Sequence, residues 1–330
     1  MPRSRPTLID VARAAGVSRS TASRAINGQP SVAPDVRARV LQAVAALGYH
    51  PDSAARALAS GRVDVIDLVV VEQDLATFGA NPFYGRVTAG LLAALDGTGV
   101  QMRLHVTPAR TASRVLDDVA QSGSLGTLLV NVPAALARRF HRRYRRVVSL
   151  GRFAPTVPYS ESDNARGAAL AVRHLASAGR RTIAFIDGPP WNPCAGQRHA
   201  GYLGTMAEAG LRPMWTHGNF RRQGGYDGTL RLLQQRPDLD AIVAACDMTA
   251  TGAIQALVAT GRRVPDDVAV VGFDDSVLAA LTTPPLTSVR QPVEEMTTLA
   301  VRDLLQGRVH DGWHQSFPTS LTVRASSRPT

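Results

Sequence analysis

The sequence predicts a small all-helical N-terminal module followed by a much larger α/β region whose parallel sheets form two similar lobes. Three observations carry that reading. The first 48 residues hold short helical stretches with cap residues at their starts and glycine at their ends. Beyond Gly61, apolar runs alternate with amphipathic stretches, the pattern of strands connected by helices. Of the 330 residues, about 270 carry this alternation, more than one doubly wound sheet accommodates.

In the N-terminal module, Thr7 can cap a helix over Leu8–Ala15 with Leu8, Val11, Ala12 and Ala15 on one face. Gly16-Val17-Ser18 breaks the pattern, and Ser18 caps a second helix from Arg19 to about Ile26 that stops at Asn27-Gly28. Pro34 suits the first position of a third helix, Pro34–Leu47, with Gly48 as its exit. Val36, Val40, Ala43, Val44 and Leu47 form its buried stripe. Residues 49–53 interrupt the helices. Ser53–Ser60 can form another, though a segment this short is marginal by itself in water.

In the larger region, Val65–Val71, Gly126–Val130, Thr182–Ile186, Ala241–Ala244 and Val268–Phe273 are continuous apolar runs, as strands covered on both faces require. Tyr84–Leu95, Arg166–Ala178, Arg198–Ala209, Tyr226–Gln235 and Ala250–Thr260 are the intervening helices. The tail Ser326–Thr330 reads as frayed.

Hydrophobic residues make up 45% of the chain, sufficient for a substantial core. The net charge of +11 comes from arginine, since the sequence contains no lysine. Residues 1–62 hold nine arginines against three aspartates, so +6 of the excess sits in under a fifth of the chain. Positive charge concentrated in this way points to a polyanionic partner. Cys194 and Cys246 are the only cysteines, and no His/Cys cluster has metal-ligand spacing. Neither a structural disulfide, a metal nor a cofactor is expected. The chain opens without an apolar signal core and has no run long enough to span a bilayer, so a cytoplasmic protein with no membrane partner is expected.

A helix, a glycine-containing tight turn and a second helix make a helix-turn-helix pattern. In that motif the second helix enters the DNA major groove with its N-terminal residues at the base edges. Here it opens Arg19-Ser20-Thr21-Ala22-Ser23-Arg24. Arginine can bond both acceptors of guanine, and serine and threonine suit phosphates or base edges. A small helical bundle with a solvated basic face fits the short motif as well.

The longer string narrows the choice. Thr7-Leu8-Ile9-Asp10-Val11-Ala12, Ala15-Gly16-Val17-Ser18 and Thr21-Ala22-Ser23-Arg24-Ala25-Ile26-Asn27 follow in order, then Val40 to Gly48-Tyr49, Pro51 and Ala54-Ala55-Arg56-Ala57-Leu58. The sequence thereby resembles the lactose-repressor (LacI/GalR) family. By position, the resemblance implies that Arg19, Ser20 and Arg24 read bases. It implies that Thr7, Ser18, Thr21, Ser23 and Asn27 anchor phosphates or helix ends. Ala55 and Leu58 match the family's hinge helix, whose leucine opens a base step in the minor groove. Two positions depart from the pattern. Ala33 stands where the family usually has a capping serine or threonine, with Ser31 or Asp35 as partial substitutes. Asp52 replaces an uncharged polar residue near the phosphate backbone.

At lower density the resemblance covers the rest of the chain. It implies a periplasmic-binding-protein-type domain, two-lobed, with a small-molecule ligand in the cleft. The landmarks include Asn81-Pro82-Phe83-Tyr84, Ser162-Asp163-Asn164, Arg198-His199-Ala200-Gly201-Tyr202 and Val271-Gly272-Phe273-Asp274-Asp275. Asp163, Arg198 and Asp274 match the family's polar ligand contacts, Phe83 and Phe220 its aromatic positions, and Asn131 ends a strand facing the cleft. Taken without the family, Phe83 and Phe220 also suit ordinary core, Arg198 a surface ion pair and Asp274 a brace for the turn after its strand. Cys246 departs from the family's usual asparagine before Asp247 and cannot supply an amide's donors and acceptor. A small buried apolar role fits it. Trp191, in Gly188-Pro189-Pro190-Trp191, suits either a ligand stack or a loop anchor.

The implied division is residues 1–48 for DNA binding, 49–62 for a hinge and 63–330 for effector binding and dimerisation. One lobe then takes about 63–161 and 291–320, the other about 162–290 and 321–330. The function expected is sequence-specific transcriptional regulation by a repressor, released from a pseudo-palindromic operator by a small effector, a carbohydrate. Its partners are double-stranded operator DNA, the effector and a second copy, as a homodimer or tetramer, because one short helix reads too few bases for specificity. A solute-binding protein for transport would need a signal peptide and no helix-turn-helix. An enzyme has less support still. The sequence has no Walker loop, no G-x-S-x-G and no Gly-rich turn after Val65–Val71, and the side chains of Asp274-Asp275 are expected to point apart.

Overall fold

The computed structural model describes residues 6–26, 29, 31–49 and 64–328. The chain divides into two compact units, residues 1–64 and 65–330. Asn27, Ala55, Leu58 and the Ser53–Ser60 segment lie outside the described residues.

The described part of the first unit holds α1 (Leu8–Ala15), α2 (Arg19–Ile26) and α3 (Pro34–Leu47), with the bounds that the caps and glycines predict. At the start of α1, Thr7 N and Thr7 Oγ1 both donate to Asp10 Oδ2, at 2.9 and 2.7 Å. Asp10 N returns a longer bond to Thr7 Oγ1 at 3.4 Å, so the terminal amides are partnered from both directions. Gly16 closes the helix at φ 64°, a left-handed turn that costs glycine nothing in side-chain clash. Ser18 Oγ then accepts from Thr21 N at 3.1 Å and starts α2. No side chain caps α3 at Ala33, and its first turn relies on Pro34 and the charge of Asp35. The core consists of Val11, Ala12, Ala15, Ala22, Ala25, Val32, Val40 and Ala43, mostly small residues that let short helices approach closely. Leu47 does not join this core. It lies in the last turn of α3, past the half-buried Val44, and is 36% exposed.

In the second unit, β1 (Val65–Val71), α4 (Leu75–Ala80), α5 (Pro82–Leu95), β2 (Gln101–Thr107), α6 (Ala109–Gln121), β3 (Gly126–Val130), α7 (Ala134–Arg143), β4 (Val147–Leu150) and β5 (Tyr159–Ser162) build one lobe. The other takes α8 (Asn164–Ser177), β6 (Ile183–Ile186), α9 (Pro193–Glu208), β7 (Met214–Thr216), α10 (Arg222–Gln235), β8 (Ala241–Ala244), α11 (Asp247–Ala259), β9 (Ala269–Asp274), α12 (Val277–Leu281) and β10 (Thr287–Arg290). Next, α13 (Val293–Leu305) and β11 (His314–Phe317) return to the first lobe, and β12 (Ser320–Thr322) to the second. The six-stranded sheets run β2-β1-β3-β4-β5-β11 and β7-β6-β8-β9-β10-β12, one winding used twice. Neighbouring strands are parallel except β12, which is antiparallel to β10.

Each sheet is covered on both faces, which is why its central strands read as unbroken apolar runs. In β1, Ile66, Leu68 and Val70 join the layer with α5 and α13, while Val69 and Val71 meet Leu116 and Phe140 on the opposite side. The shorter or more polar strands, β2 above all, escape a search for such runs. Helices begin earlier than apolar periodicity predicts, at Pro82, Asn164 and Pro193, because the side chains of Asn81, Asp163 and Asn192 cap them there.

The chain passes between lobes around residues 162–164, 290–293 and 317–320. These strands of backbone are laced together where they cross. Asp163 N donates to Phe317 O at 2.8 Å, Thr319 Oγ1 to Asp163 O at 3.2 Å, and Ser162 Oγ to Gln291 Oε1 at 3.0 Å.

Candidate functional site

Open parallel sheets gather ligands at the carboxyl ends of their strands, and here both sheets present those ends to one cleft. Its volume is about 260 Å³, close to the lower edge of the ~300–1,000 Å³ typical of small-molecule sites. Glu72 follows β1, Asn131 follows β3 and Ser162 ends β5. From the opposite lobe Cys246 follows β8, Asp274 ends β9 and Gln291 follows β10.

Arg198, carried by α9, forms the polar floor. It is only 3% exposed, so the surface ion pair compatible with its sequence context is not what it makes. Its Nε donates to Asn164 Oδ1 at 2.9 Å, Nη1 to Ala245 O at 2.5 Å and Nη2 to Gln291 Oε1 at 3.5 Å. The guanidinium carbon lies 3.6 Å from the Phe273 ring centroid and 5.8 Å from that of Phe220, so the weakly hydrated cation packs against an aromatic face. Asp274 Oδ1 stands 3.9 Å from Arg198 Nη1 and accepts from Gln291 Nε2 at 2.5 Å. Burial pushes the Asp274 carboxyl up, against the opposing pull of Arg198, Arg86 and Gln291. Behind it, Asp247 accepts from Ser288 Oγ at 2.5 Å and from Ser276 N and Oγ at 2.7 and 2.8 Å. Burial and the neighbouring Asp274 charge push Asp247 up to about 7.

The rim is tied across the lobes. Tyr84 donates its hydroxyl hydrogen to Glu72 Oε2 at 2.8 Å and accepts from Asn131 Nδ2 at 3.0 Å. Arg221, from the other lobe, reaches Glu72 Oε1 at 3.3 Å and Asp74 Oδ2 at 3.7 Å. Asn192 Nδ2 donates to Asn131 Oδ1 at 3.3 Å, and Gln197 Nε2 to Glu161 Oε2 at 3.0 Å. Among the described residues, the non-glycine positions with positive φ are Asn131, Phe220, Asp274 and Asp275, and the first three line this cleft. Backbone strain of this kind persists where surrounding structure enforces it, typically at binding sites. For Phe220 the enforcement includes Gly188, where an added Cβ would clash with the ring.

Of the effector residues expected from sequence, Phe83, Asn131, Arg198, Phe220 and Asp274 come together in the cleft wall. Asp163 does not. Its carboxylate accepts from Arg166 N at 3.0 Å and caps α8, while its neighbours Ser162 and Asn164 line the cavity. Cys246 is buried as expected, and its sulfur also serves as the cap of α11, accepting from Thr249 N at 3.4 Å. Burial and the charge of Asp274 push its thiol up to about 12, so it is no activated nucleophile. Burial likewise raises Cys194. Asp274 and Asp275 do part, Asp275 turning to Arg324 at 2.7 Å. Sequence reasoning missed Glu72, Tyr84, Asn164, Asn192, Arg221 and Gln291. A polar residue directly after an apolar strand would have flagged Glu72, whereas Gln291 carries no local signal.

On the first unit, Ala22 and Ala25 face the core and leave Ser18, Arg19, Ser20 and Arg24 exposed on α2. Arg24 Nε donates to Ser20 O at 3.3 Å, one turn back along the helix. Ser18 Oγ lies 2.9 Å from Ser20 Oγ and 2.8 Å from Thr21 Oγ1. Thr7 and Ser18 are occupied as caps at helix starts. Among the described residues no cluster of His, Cys, Asp or Glu could hold a metal ion, and no helix is long and apolar enough to cross a membrane.

The family model for bacterial regulatory proteins of the lacI family matches residues 7–52, and that for the periplasmic binding protein-like domain matches residues 172–327. The HTH-type transcriptional regulator CelR of Thermobifida fusca is 36% identical over 338 aligned residues, which span 98% of this chain and 99% of that one. The chain belongs to the lacI family of bacterial regulatory proteins. This LacI-family member is thus a sequence-specific DNA-binding transcriptional regulator, with a helix-turn-helix unit and two parallel-sheet lobes. Among solved structures, a CelR–cellobiose complex is 34% identical with a TM-score of 0.75, covering 98% of this chain and 100% of that chain. The Lac repressor dimer bound to operator and the anti-inducer ONPF is 25% identical with a TM-score of 0.80, covering 98% and 99%.

Proposed function

We propose that this regulator is a repressor that holds a pseudo-palindromic operator as a homodimer and lets go when a carbohydrate enters the cleft. The observation that carries the reading is the buried Arg198–Asp274–Gln291 floor flanked by Phe83 and Phe220. It offers charged donors and acceptors to hydroxyl groups and aromatic faces to an apolar sugar face. Two relatives bear on the ligand class, since one solved neighbour is a CelR–cellobiose complex and a 32% identical relative is the ribose operon repressor of Escherichia coli. On DNA, Arg19, Ser20 and Arg24 read bases, Thr7, Ser18, Thr21, Ser23 and Asn27 anchor phosphates or helix ends, and Ala55 and Leu58 belong to a hinge spanning 49–62. The protein acts in the cytoplasm and binds its effector without turning it over.

A ligand alters DNA affinity only through a difference in its affinity for two lobe arrangements. The cross-lobe bonds of Arg221, Asn192 and Gln197 belong to one such arrangement. Operator titrations by fluorescence anisotropy, with and without sugar, test the proposal. Asp274→Ala should abolish the sugar response and leave operator affinity unchanged. A variant that binds sugar and responds normally would show the cleft assignment to be wrong, and a sugar that tightened operator binding would reverse the direction of regulation.

A further inference from the structure

The chain contains three tryptophans, and two of them have structural employment. Trp313 is buried, with Nε1 donating to Asp303 Oδ2 at 3.2 Å. Trp215 packs edge-on against His199, ring centroids 5.1 Å apart. Trp191 has neither kind of tie. It lines the cleft yet is 58% exposed, and no hydrogen bond or ring contact engages its indole among the described residues.

The turn that carries Trp191 is held without it. Gly188 N donates to Asp187 Oδ1 at 2.7 Å, and Asp187 Oδ2 lies 2.7 Å from His199 Nδ1. At the far end Asn192 N donates to Pro189 O at 3.0 Å, and Asn192 Oδ1 accepts from Cys194 N at 3.1 Å. Pro189, Pro190 and Pro193 further restrict the backbone. A loop anchor would be buried and bonded, so the indole is no anchor. It is a large apolar plate fixed at the cleft mouth by a turn stiffened through other residues. Across the cleft, on the first lobe, Gln73 and Arg152 are exposed lining residues that carry polar groups.

We infer that Trp191 is the platform of an outer subsite, and that the effector is a carbohydrate of at least two linked rings. One ring occupies the Arg198–Asp274 floor beside Phe220, and the next lays its C–H face on the Trp191 indole. Stacking suits this position because it requires no burial of hydrogen-bonding groups and tolerates a half-open mouth. The inference rests on the carbohydrate reading of the cleft and deepens it from a class of molecule to a size.

The test is calorimetry on the full-length protein with glucose, galactose, mannose, xylose, ribose and fructose and the di- and trisaccharides built from them. A disaccharide should bind at least about tenfold more tightly than its own inner monosaccharide. Trp191→Ala should cut disaccharide affinity about five- to tenfold, the effect expected of one stacking contact, and leave monosaccharide affinity unchanged. Trp191→Phe should restore most of the loss. The wild-type tryptophan emission should shift on disaccharide binding, and that shift should vanish in Trp191→Ala. A monosaccharide that binds as tightly as any oligomer, or a disaccharide indifferent to Trp191→Ala, overturns the outer subsite while the carbohydrate reading stands. Binding of no sugar in the panel overturns both.

Discussion

Arg24 on α2 and Arg198 in the cleft, proposed to contact DNA and effector respectively, stand in opposite environments. Arg24 is exposed, and its guanidinium donates to the carbonyl of Ser20, a turn earlier in its own helix. Arg198 is buried, and its partners Asn164, Ala245, Phe273 and Gln291 come from segments far apart in the chain. An exposed arginine keeps its hydration until DNA displaces water, so its worth is realised only in the complex. A buried guanidinium has already lost its water, and the fold must supply every replacement before any ligand arrives. Altering Arg24 should therefore change binding without changing stability, while altering Arg198 should change both.

The largest expected effect is therefore Arg198→Ala. It leaves Asp274 and Gln291 facing each other in a desolvated site, and breaking such a buried set costs about 3–5 kcal/mol. Scanning calorimetry should show the larger unit melting at markedly lower temperature. Arg198→Lys should recover little, because a point charge cannot reach Asn164, Ala245 and Gln291 at once. A variant that melts like the wild type would break the contrast.

Arg24→Ala should cost about 1–3 kcal/mol of operator affinity, relax preference at one symmetric base position and leave the melting temperature alone. Equal weakening on every sequence would make Arg24 a phosphate contact. Ser18→Ala should lower the stability of the small unit by about 1 kcal/mol through loss of the α2 cap, measurable by circular dichroism of the isolated helical signal.

Asp67 is a buried charge outside both sites. It is fully buried on β1, where Arg103 Nε donates to Oδ1 at 2.6 Å and His105 Nε2 lies 2.7 Å from the same oxygen. Burial raises its pKa, but the bonds from His105, Arg103 and Ser124 prevail and bring it down to about 2, from 3.8. A carboxylate depressed in the folded state stabilises the fold above its unfolded pKa, and that contribution fades as pH falls from about 4 through about 2. Acid titration of wild type against Asp67→Asn should show this slope in the wild type and its loss in the variant. Parallel curves would mean that the carboxylate is already compensated in the unfolded chain.

The legibility of the two regions differs for the same reason as their chemistry. The bounds of α1, α2 and α3 are set by Thr7, Gly16, Ser18, Pro34 and Gly48, residues that act within a few positions of where they stand. Such signals survive in the bare order of amino acids, as do the fully apolar strands β1, β3 and β8. The cleft was partly legible through resemblance, which led to Arg198, Asp274, Phe83, Phe220 and Asn131 and misplaced Asp163. That acid sits between two lining residues, and only the direction of its side chain, turned to the α8 amide, removes it from the wall.

Signals between neighbours in the chain thus settle which segments are helices, where they start and stop, and that the larger region winds parallel sheets in two lobes. Tertiary structure decided which polar groups are buried together. Gln291 stands at a crossover far along the chain from Ser162 and Arg198, yet it bonds Ser162, Arg198 and Asp274. It also decided that Trp191 stays exposed while Phe220 is pressed on Gly188. Caps and apolar runs act through neighbours in sequence. Desolvation and the partners that offset it act through neighbours in space, and those exist only once the two sheets have brought their carboxyl ends face to face.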